Sequence, residues 1–285
     1  MKKMKKARIA VLITVHNRKD KTLKCLNGIH SQQVPNTISI EVYLTNDGCT
    51  DGTAEAIREF FPDTYIIDGD GNLFWNRGMY KAWSVAEESD YDFYLWLNDD
   101  TILFENAIAS LLSTSDMKNN EAIIVGYTID SKRERITYGG RNKYTGLITD
   151  VKGITECDTF NGNIVLIPRQ VYKLVGKNDP VFHHAIGDTD YGLRAQKMRI
   201  KSYISDVACG ICDSHDKLPK WSDKNIPLHK RIKFLYRPGG NGANPIEFFI
   251  YKNRHYGLLA AIMTFISNHI HLLFPFLWKK DASKY

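Results

Sequence analysis

Apolar runs alternate with amphipathic stretches over residues 9–97, and this alternation leaves the chain few architectures. Residues 9–15 (IAVLITV) read as a buried strand, 19–32 as a helix with Leu23, Leu26 and Ile29 on one face, and 38–45 as a second strand. A short helix over 53–61, a strand over 65–67, a helix over 77–88 and a strand over 93–97 continue the series. Such βαβα order predicts an α/β fold, a mostly parallel Rossmann-like sheet with helices on both faces. Ligands of these sheets sit outside the carboxyl ends of the strands. Three polar clusters fall at those ends, TVHNR, TNDGCTDGT and LNDDT, and they are expected to meet in one crevice.

Beyond Glu121 the pattern loosens into strands at 122–129 and 135–139, a strand running into a helix (FNGNIVLIPRQVYKLVG), a helix over 187–199, and apolar strands to Cys212. After about Pro219 Lys, Arg and aromatic residues dominate, which divides the chain into a catalytic unit (1–218) and a basic, aromatic extension (219–285). Segment 257–278 is long enough for a bilayer, which needs roughly 20 apolar residues, but Ser267, Asn268, His269, His271 and Pro275 interrupt it. A helix lying in the membrane interface is expected, with a single span or a packed helix hairpin as alternatives. The extension also offers a surface for oligomer formation.

With 285 residues, 43% hydrophobic and 25% charged, the chain is of ordinary globular composition, which excludes disorder and a polytopic membrane protein. The net charge of +6 is concentrated near the start and in residues 217–254, and points to an anionic partner. Nucleic acid is not expected, because zinc-finger spacing, an RNA-recognition signature and a basic helix with heptads are all missing. Five cysteines without a regular framework indicate a reducing compartment, the cytoplasm. The apolar run 9–15 is barely long enough for a signal peptide and has no small-residue cleavage site, so it reads as a strand.

Asn98-Asp99-Asp100 at the end of an apolar run poses an electrostatic problem. Two unit charges about 4 Å apart repel by roughly 4 kcal/mol at an effective dielectric near 20, so a cation is expected beside them. Hard oxygen ligands suit Mg²⁺ or Mn²⁺, which take one or two carboxylates and complete their shells with substrate phosphates. The competing role for Asp100 or Thr101 is to cap a helix through 103–112. In NDGCTDGT, Gly48 and Gly52 allow sharp turns that leave Asp47 at the sheet edge to accept hydrogen bonds from a ring N–H or a ribose hydroxyl. In GDTDYGLR, Asp190 and Arg194 are spaced for an i,i+4 ion pair, which leaves Asp188 as a general base or a helix cap. His215 follows a strand returning to the same crevice and is a candidate metal or phosphate ligand, or a surface loop histidine. Cys209, Cys212 and His215 match half of a zinc site, but no second Cys/His pair stands at normal spacing. Phosphate-loop, dinucleotide-fingerprint and nucleophile-elbow motifs are absent.

These clusters, in this order from Ile9 to His215, resemble the family 2 glycosyltransferases of the GT-A (nucleotide-diphospho-sugar transferase) fold, especially bacterial enzymes of surface-polysaccharide assembly. VLITVHNRKDKTLKCLNGIHSQ is similar to the family's opening strand and helix, LTNDGCTDGT to its nucleoside-binding turn, GNLFWNRGMYKAW to its donor-facing helix, LWLNDDT to its metal motif and IGDTDYGLRA to its base motif. The resemblance implies that Thr14, His16 and Asp47 hold the base and Asp99 the ribose. Arg18 and Arg77 join the donor-binding set, with Arg77 at the diphosphate, and Asp100, with His215, binds Mn²⁺ or Mg²⁺. Trp75, Asn161 and Asn163 line the sugar or acceptor pocket, and Asp188 is the catalytic base. His16 stands where Tyr is frequent, Asn98 replaces the first acid of a D-x-D, and Gly187 stands where many members carry Glu. The implied reaction is an inverting transfer from a UDP- or dTDP-sugar to a lipid-linked saccharide, by a cytoplasmic enzyme at the inner face of an anionic membrane, in capsule, O-antigen or exopolysaccharide synthesis. A nucleotide-sugar-binding protein without transferase activity and a metal-dependent nucleotidyltransferase are the competing functions.

Overall fold

The computed structural model describes residues 7–214, 219–238 and 244–277; His215, a candidate ligand, lies outside them. The opening series is β1 (Ala7–Val15), α1 (Lys19–His30), β2 (Ile38–Asn46), α2 (Thr53–Phe60), β3 (Tyr65–Asp68), α3 (Phe74–Ala86) and β4 (Phe93–Leu97). There follow β5 (Ile102–Leu103), α4 (Ala107–Met117), β6 (Ile123–Ile129), β7 (Ile136–Tyr138), β8 (Gly140–Asn142), β9 (Gly146–Leu147), β10 (Thr155–Cys157), β11 (Thr159–Phe160) and β12 (Ile164–Pro168). Helices α5 (Arg169–Val175) and α6 (Gly187–Lys197) precede β13 (Ser202–Ile211), and the extension contains α7 (Leu228–Tyr236), α8 (Pro245–Tyr256) and α9 (Leu258–Leu273).

The main sheet has the order β10-β13-β6-β12-β4-β1-β2-β3, with β5 on β13 and β7 on β6. Its β4-β1-β2-β3 half is parallel, as the alternation requires. The other half is mixed, because β12 enters antiparallel between β4 and β6. Parallel neighbours need a crossover of a dozen or more residues, and the regular supply of crossover helices ends at α4. A small second sheet, β11-β8-β9, stands beside it.

Alternation along β1 divides the core. Ile9, Val11, Ile13 and Val15 pack toward α1 and α4 with Leu26, Leu97 and Leu111. Ala10 and Leu12 pack toward α3 and α6 with Met79, Trp83, Trp96 and Tyr191. Trp83 and Trp96 are fully buried and meet edge to face at 5.8 Å, a geometry worth about 0.5–1.5 kcal/mol beyond the area it buries.

Two boundaries differ from expectation for reasons that matter at the site. Residues 102–103 form a short strand paired to β13, and α4 starts only at Ala107, so neither Asp100 nor Thr101 caps a helix. Helix α3 begins one turn earlier than expected, at Phe74, because the Asp47 carboxylate accepts the backbone N–H groups of Leu73 and Phe74, both at 3.0 Å. A cap contributed from another strand leaves no local signal.

Thr14 lies on the α3 face of β1, not in the open crevice expected for a base-binding residue. A Cβ on Gly78 of α3 would come 2.1 Å from Thr14 Oγ1, and Thr45 Oγ1 donates to the Gly78 carbonyl at 2.8 Å. Two threonines thus fix the helix to the sheet.

In the extension, Trp221, Leu235 and Leu272 form a small cluster, while Tyr251 of α8 packs with Phe182 and Ile186 of the catalytic unit. No helix among the described residues is long and apolar enough to cross a membrane.

Gly78→Ala is expected to cost about 1–3 kcal/mol, since the new methyl has nowhere to go without moving α3 off the sheet. Urea unfolding of this variant, and of the pair Gly78→Ala with Thr14→Ala, measures it: the second change should recover part of the loss.

Candidate active site

The expected cation at the end of β4 is supplied by the chain itself. One Nη of Arg18, in the turn before α1, donates to Asp99 Oδ1 at 3.0 Å and to Asp100 Oδ2 at 2.9 Å, and Lys21 Nζ stands 3.8 Å from Asp100. The two carboxylates are 9% and 6% exposed, whereas Arg18 is 42% exposed. Burial pushes the Asp99 carboxyl up to about 6 even though Arg18 pulls it down. Its Oδ2 is buried and finds no hydrogen-bond partner among the described residues.

Asn98 connects this pair to the rest of the crevice. Its backbone N–H donates to the Asn163 carbonyl at 3.0 Å, and its side-chain oxygen accepts from Trp75 Nε1 at 2.7 Å. The Trp75 ring in turn lies on Gly162, where a Cβ would meet it at 2.4 Å. Gly162 N–H donates to Asp188 Oδ2 at 2.9 Å, and Thr189 N–H to Oδ1 at 2.7 Å. Asp188 is the second residue of α6, not its cap. Burial raises its pKa and outweighs the two N–H donors and the charge of Arg141, all of which lower it. Trp75 therefore stands between the carboxylate pair and Asp188, with a hydrogen bond to Asn98 on one side and ring contact with Gly162 on the other.

A steric contact holds position 187 to glycine, where the resemblance leads one to expect an acidic residue. A Cβ there would fall 2.0 Å from Asn76 Oδ1, and Asn76 is fully buried. Ile186, just before it, has φ 82° and ψ −32°. A β-branched residue in the left-handed region costs on the order of 1–3 kcal/mol and persists only where its surroundings force it.

Asp47 is not open for a base in this structure. Its Oδ1 accepts from Gly71 N–H at 2.8 Å, and its Oδ2 holds the start of α3. These contacts order the loop 69–74 and shape the crevice wall from within. His16 is exposed, with Nδ1 2.5 Å from the Asp47 carbonyl. A carbonyl can only accept, so Nδ1 carries the proton and Nε2 accepts from the Asn17 amide at 3.3 Å.

Arg77 does not join the carboxylates. It follows Trp75 by two positions, roughly 200° around a helix, and so points away from the crevice. Its Nε donates to the Pro180 carbonyl at 2.8 Å, and it lines a separate cavity of about 430 Å³ with Leu73, Tyr80 and Lys81. Of the two arginines expected at the donor, only Arg18 touches the acidic pair. Asn163 is 5% exposed and lies beneath the site: its Nδ2 donates to Cys212 Sγ at 3.6 Å, and that thiol to Asp100 Oδ1 at 3.7 Å. It supports the pair from below. Asn161 is half-buried beside Gly162, its N–H bound to the Gly139 carbonyl at 3.0 Å and its Oδ1 buried without a partner among the described residues.

Asp190 pairs with Arg194 at 2.9 Å, as the spacing predicts. It also receives Arg254 and His255 of α8, each at 2.8 Å, neither of which sequence spacing could reveal. Arg141 of β8 places its charge near Asp188. His184 faces Arg18: enclosure by the surrounding walls, then that positive charge, lowers its pKa to about 4 although the residue keeps solvent access.

No group of three His, Cys, Asp or Glu side chains suited to a metal occurs among the described residues. The donor set still fits Mg²⁺ or Mn²⁺, which use one or two carboxylates and draw their other ligands from water and phosphate. Asp100 and the partnerless Oδ2 of Asp99 are such donors. Among the described residues the two candidate zinc cysteines take different partners: Cys209 is fully buried against Ser205, while Cys212 turns to Asp100.

The family model described as "Glycosyl transferase family 2" matches residues 10–173. Among curated proteins none matches this chain in sequence. Among solved structures, the mannosyltransferase PcManGT from Pyrobaculum calidifontis, in complex with GDP-Man and Mn²⁺, is similar with a TM-score of 0.55 at 13% identity, covering 95% of this chain and 82% of that one. S. aureus TarS 1–349 in complex with UDP-GlcNAc is similar with a TM-score of 0.57 at 10% identity, covering 92% and 72%. At these identities the likeness is one of fold, the GT-A fold.

Arg18→Ala is expected to lower stability by about 1–2 kcal/mol, a value reduced by the solvent that reaches the guanidinium. The denaturation midpoint measures it. An unchanged midpoint would mean that Lys21 alone neutralises the pair.

Proposed function

The chain belongs to glycosyltransferase family 2, and from that membership we propose that it is an inverting, metal-assisted glycosyltransferase acting on a lipid-linked saccharide. The observation that carries the reading is the position of Trp75, in contact with Asn98 beside the carboxylate pair and with Gly162, which holds Asp188. One aromatic wall thus adjoins an anionic corner suited to a sugar diphosphate and a carboxylate suited to proton transfer. The donor class, a nucleoside-diphosphate sugar, is supported by the GDP-Man and UDP-GlcNAc of the two structural neighbours. UDP- or dTDP-sugars are the proposed donors.

In this mechanism an acceptor hydroxyl gives its proton to Asp188 while its oxygen attacks the anomeric carbon. The bond from that carbon to the diphosphate oxygen breaks with inversion. The two backbone N–H groups fix the carboxylate, and burial makes it a stronger base than a surface aspartate. Mg²⁺ or Mn²⁺ held by Asp100, with Asp99 beside it, would neutralise charge on the departing nucleoside diphosphate. Arg18 and Lys21 add a positive field at the same corner. Nucleotidyl transfer and binding without transfer have less support, since neither gives Asp188 a purpose.

The extension supports a place at an anionic membrane surface in the cytoplasm. Leu259, Met263, Ile266, Ile270 and Leu273 are all exposed and follow one another at intervals of three and four along α9. Lys233 and Arg237 are exposed on or just after neighbouring α7, which α9 meets through a Tyr236–His269 hydrogen bond of 2.6 Å. An apolar stripe beside cations suits an interface of acyl chains and anionic headgroups, where each Lys or Arg contributes about 1 kcal/mol.

Asp188→Asn is expected to reduce transfer by about 10²–10⁴ while leaving nucleotide affinity intact. In the wild type, activity should fall with acid through a pKa above the ordinary carboxylate range of about 4, because the raised pKa delays deprotonation of the base. Donor turnover against a panel of nucleotide sugars, followed over pH, checks both; transfer at the wild-type rate in the variant would remove Asp188 from the mechanism. A chain ending at Gly257 should lose flotation with phosphatidylglycerol vesicles that the full chain retains.

A further inference from the structure

We propose that helix α8 is a positioning element for the proposed base, acting through Glu247, Arg254 and His255; the inference rests on the reading of Asp188 given above. Residues 179–190 form a loop and first helical turn with Asp188 near its end. The loop is held on one side by α3, where Asn76 Nδ2 donates to the carbonyls of Asp179 and Phe182 at 2.7 and 2.8 Å. On the other side it is held by α8 at three separate points. Arg254 joins Asp179 Oδ2 at 2.7 Å to Asp190 Oδ1 at 2.8 Å, so a single guanidinium ties the first residue of the segment to the last. His255 Nε2 adds a second contact to Asp190 Oδ1 at 2.8 Å. Glu247 takes the backbone N–H of His183 at 3.1 Å and its Nδ1 at 2.8 Å.

The left-handed backbone at Ile186 requires such a grip. Ile186 is 8% exposed and packs with Phe182 and with Tyr251 of α8. A helix serving only to carry the tail would need apolar contact alone. This one instead sets a half-buried cation and a buried imidazole against an aspartate that is itself fully buried, two positions after the proposed base. Charged groups fix direction as well as distance, which is what a base aimed at one hydroxyl needs. All three residues lie beyond the 10–173 region that the family model matches.

The test uses the full chain with Arg254→Ala, Arg254→Lys and Glu247→Gln, and four readouts. In Arg254→Ala and Glu247→Gln, amide hydrogen exchange over residues 179–190 should quicken tenfold or more, with β1, β2 and β4 as protected as in the wild type. Binding of UDP, dTDP and GDP with Mn²⁺, by calorimetry, should stay within about twofold. Turnover should fall by about 10–100-fold in kcat, and its acid limb should move to lower pH as Asp188 becomes hydrated. Arg254→Lys, which can reach one aspartate but not span both, should recover part of the loss. Unchanged exchange in the loop of both Arg254→Ala and Glu247→Gln would overturn the proposal, as would faster exchange with unaltered turnover, or loss of protection across the whole sheet in step with activity. Asp188→Asn serves as the control. Wild-type turnover in that variant would defeat the base assignment, while loop exchange in the α8 variants would still decide whether α8 holds the segment.

Discussion

The arginine that spans Asp99 and Asp100 is the interaction on which the crevice depends. A strand as apolar as β4 can end in two adjacent carboxylates only if their repulsion is offset where water is scarce, and Arg18 does so with one nitrogen on both acids. With the pair compensated, the chain can turn at Asn98, whose N–H is taken by Asn163 and whose side chain receives Trp75. From Trp75 the contacts run to Gly162 and Asp188. The anionic corner and the proposed base are parts of one connected framework, although β4, β12 and α6 come from distant parts of the chain.

Periodicity and local spacing were readable in the sequence, and what depends on a single long-range contact was not. Strands β1, β2 and β4 and their helices were evident because burial on two faces leaves continuous apolar runs, and the Asp190–Arg194 pair because i,i+4 geometry is local. The antiparallel entry of β12 between β4 and β6 was hidden, since a fully buried strand looks the same in either direction. Asp47 was noticed for its turn, but its carboxylate closes on backbone groups more than twenty positions away. Side-chain direction was equally hidden: Thr14 faces α3 from its strand, and Arg77 lies across the helix from Trp75. The contribution of α8 could not be read at all, because Arg254 meets Asp190 across 64 positions through a mostly buried ion pair.

The two halves of the site are built by different means. Where α3 meets the sheet, backbone geometry is set by strand ends and by a glycine that admits a neighbour's atoms, Gly78. Around Asp188, a strained loop is held by largely buried charge, which is costly to desolvate but specific in direction. The first arrangement tolerates little change in volume, the second little change in charge.

The contact of Gly187 with Asn76 extends beyond this one molecule. The carboxamide of Asn76 occupies the space that any side chain at 187 would need, so neither position is free to drift alone. In a relative with an acidic residue before the base, the asparagine's counterpart must have shrunk or turned aside. The two positions are therefore coupled: a side chain at 187 has to be matched by a smaller or reoriented residue at 76.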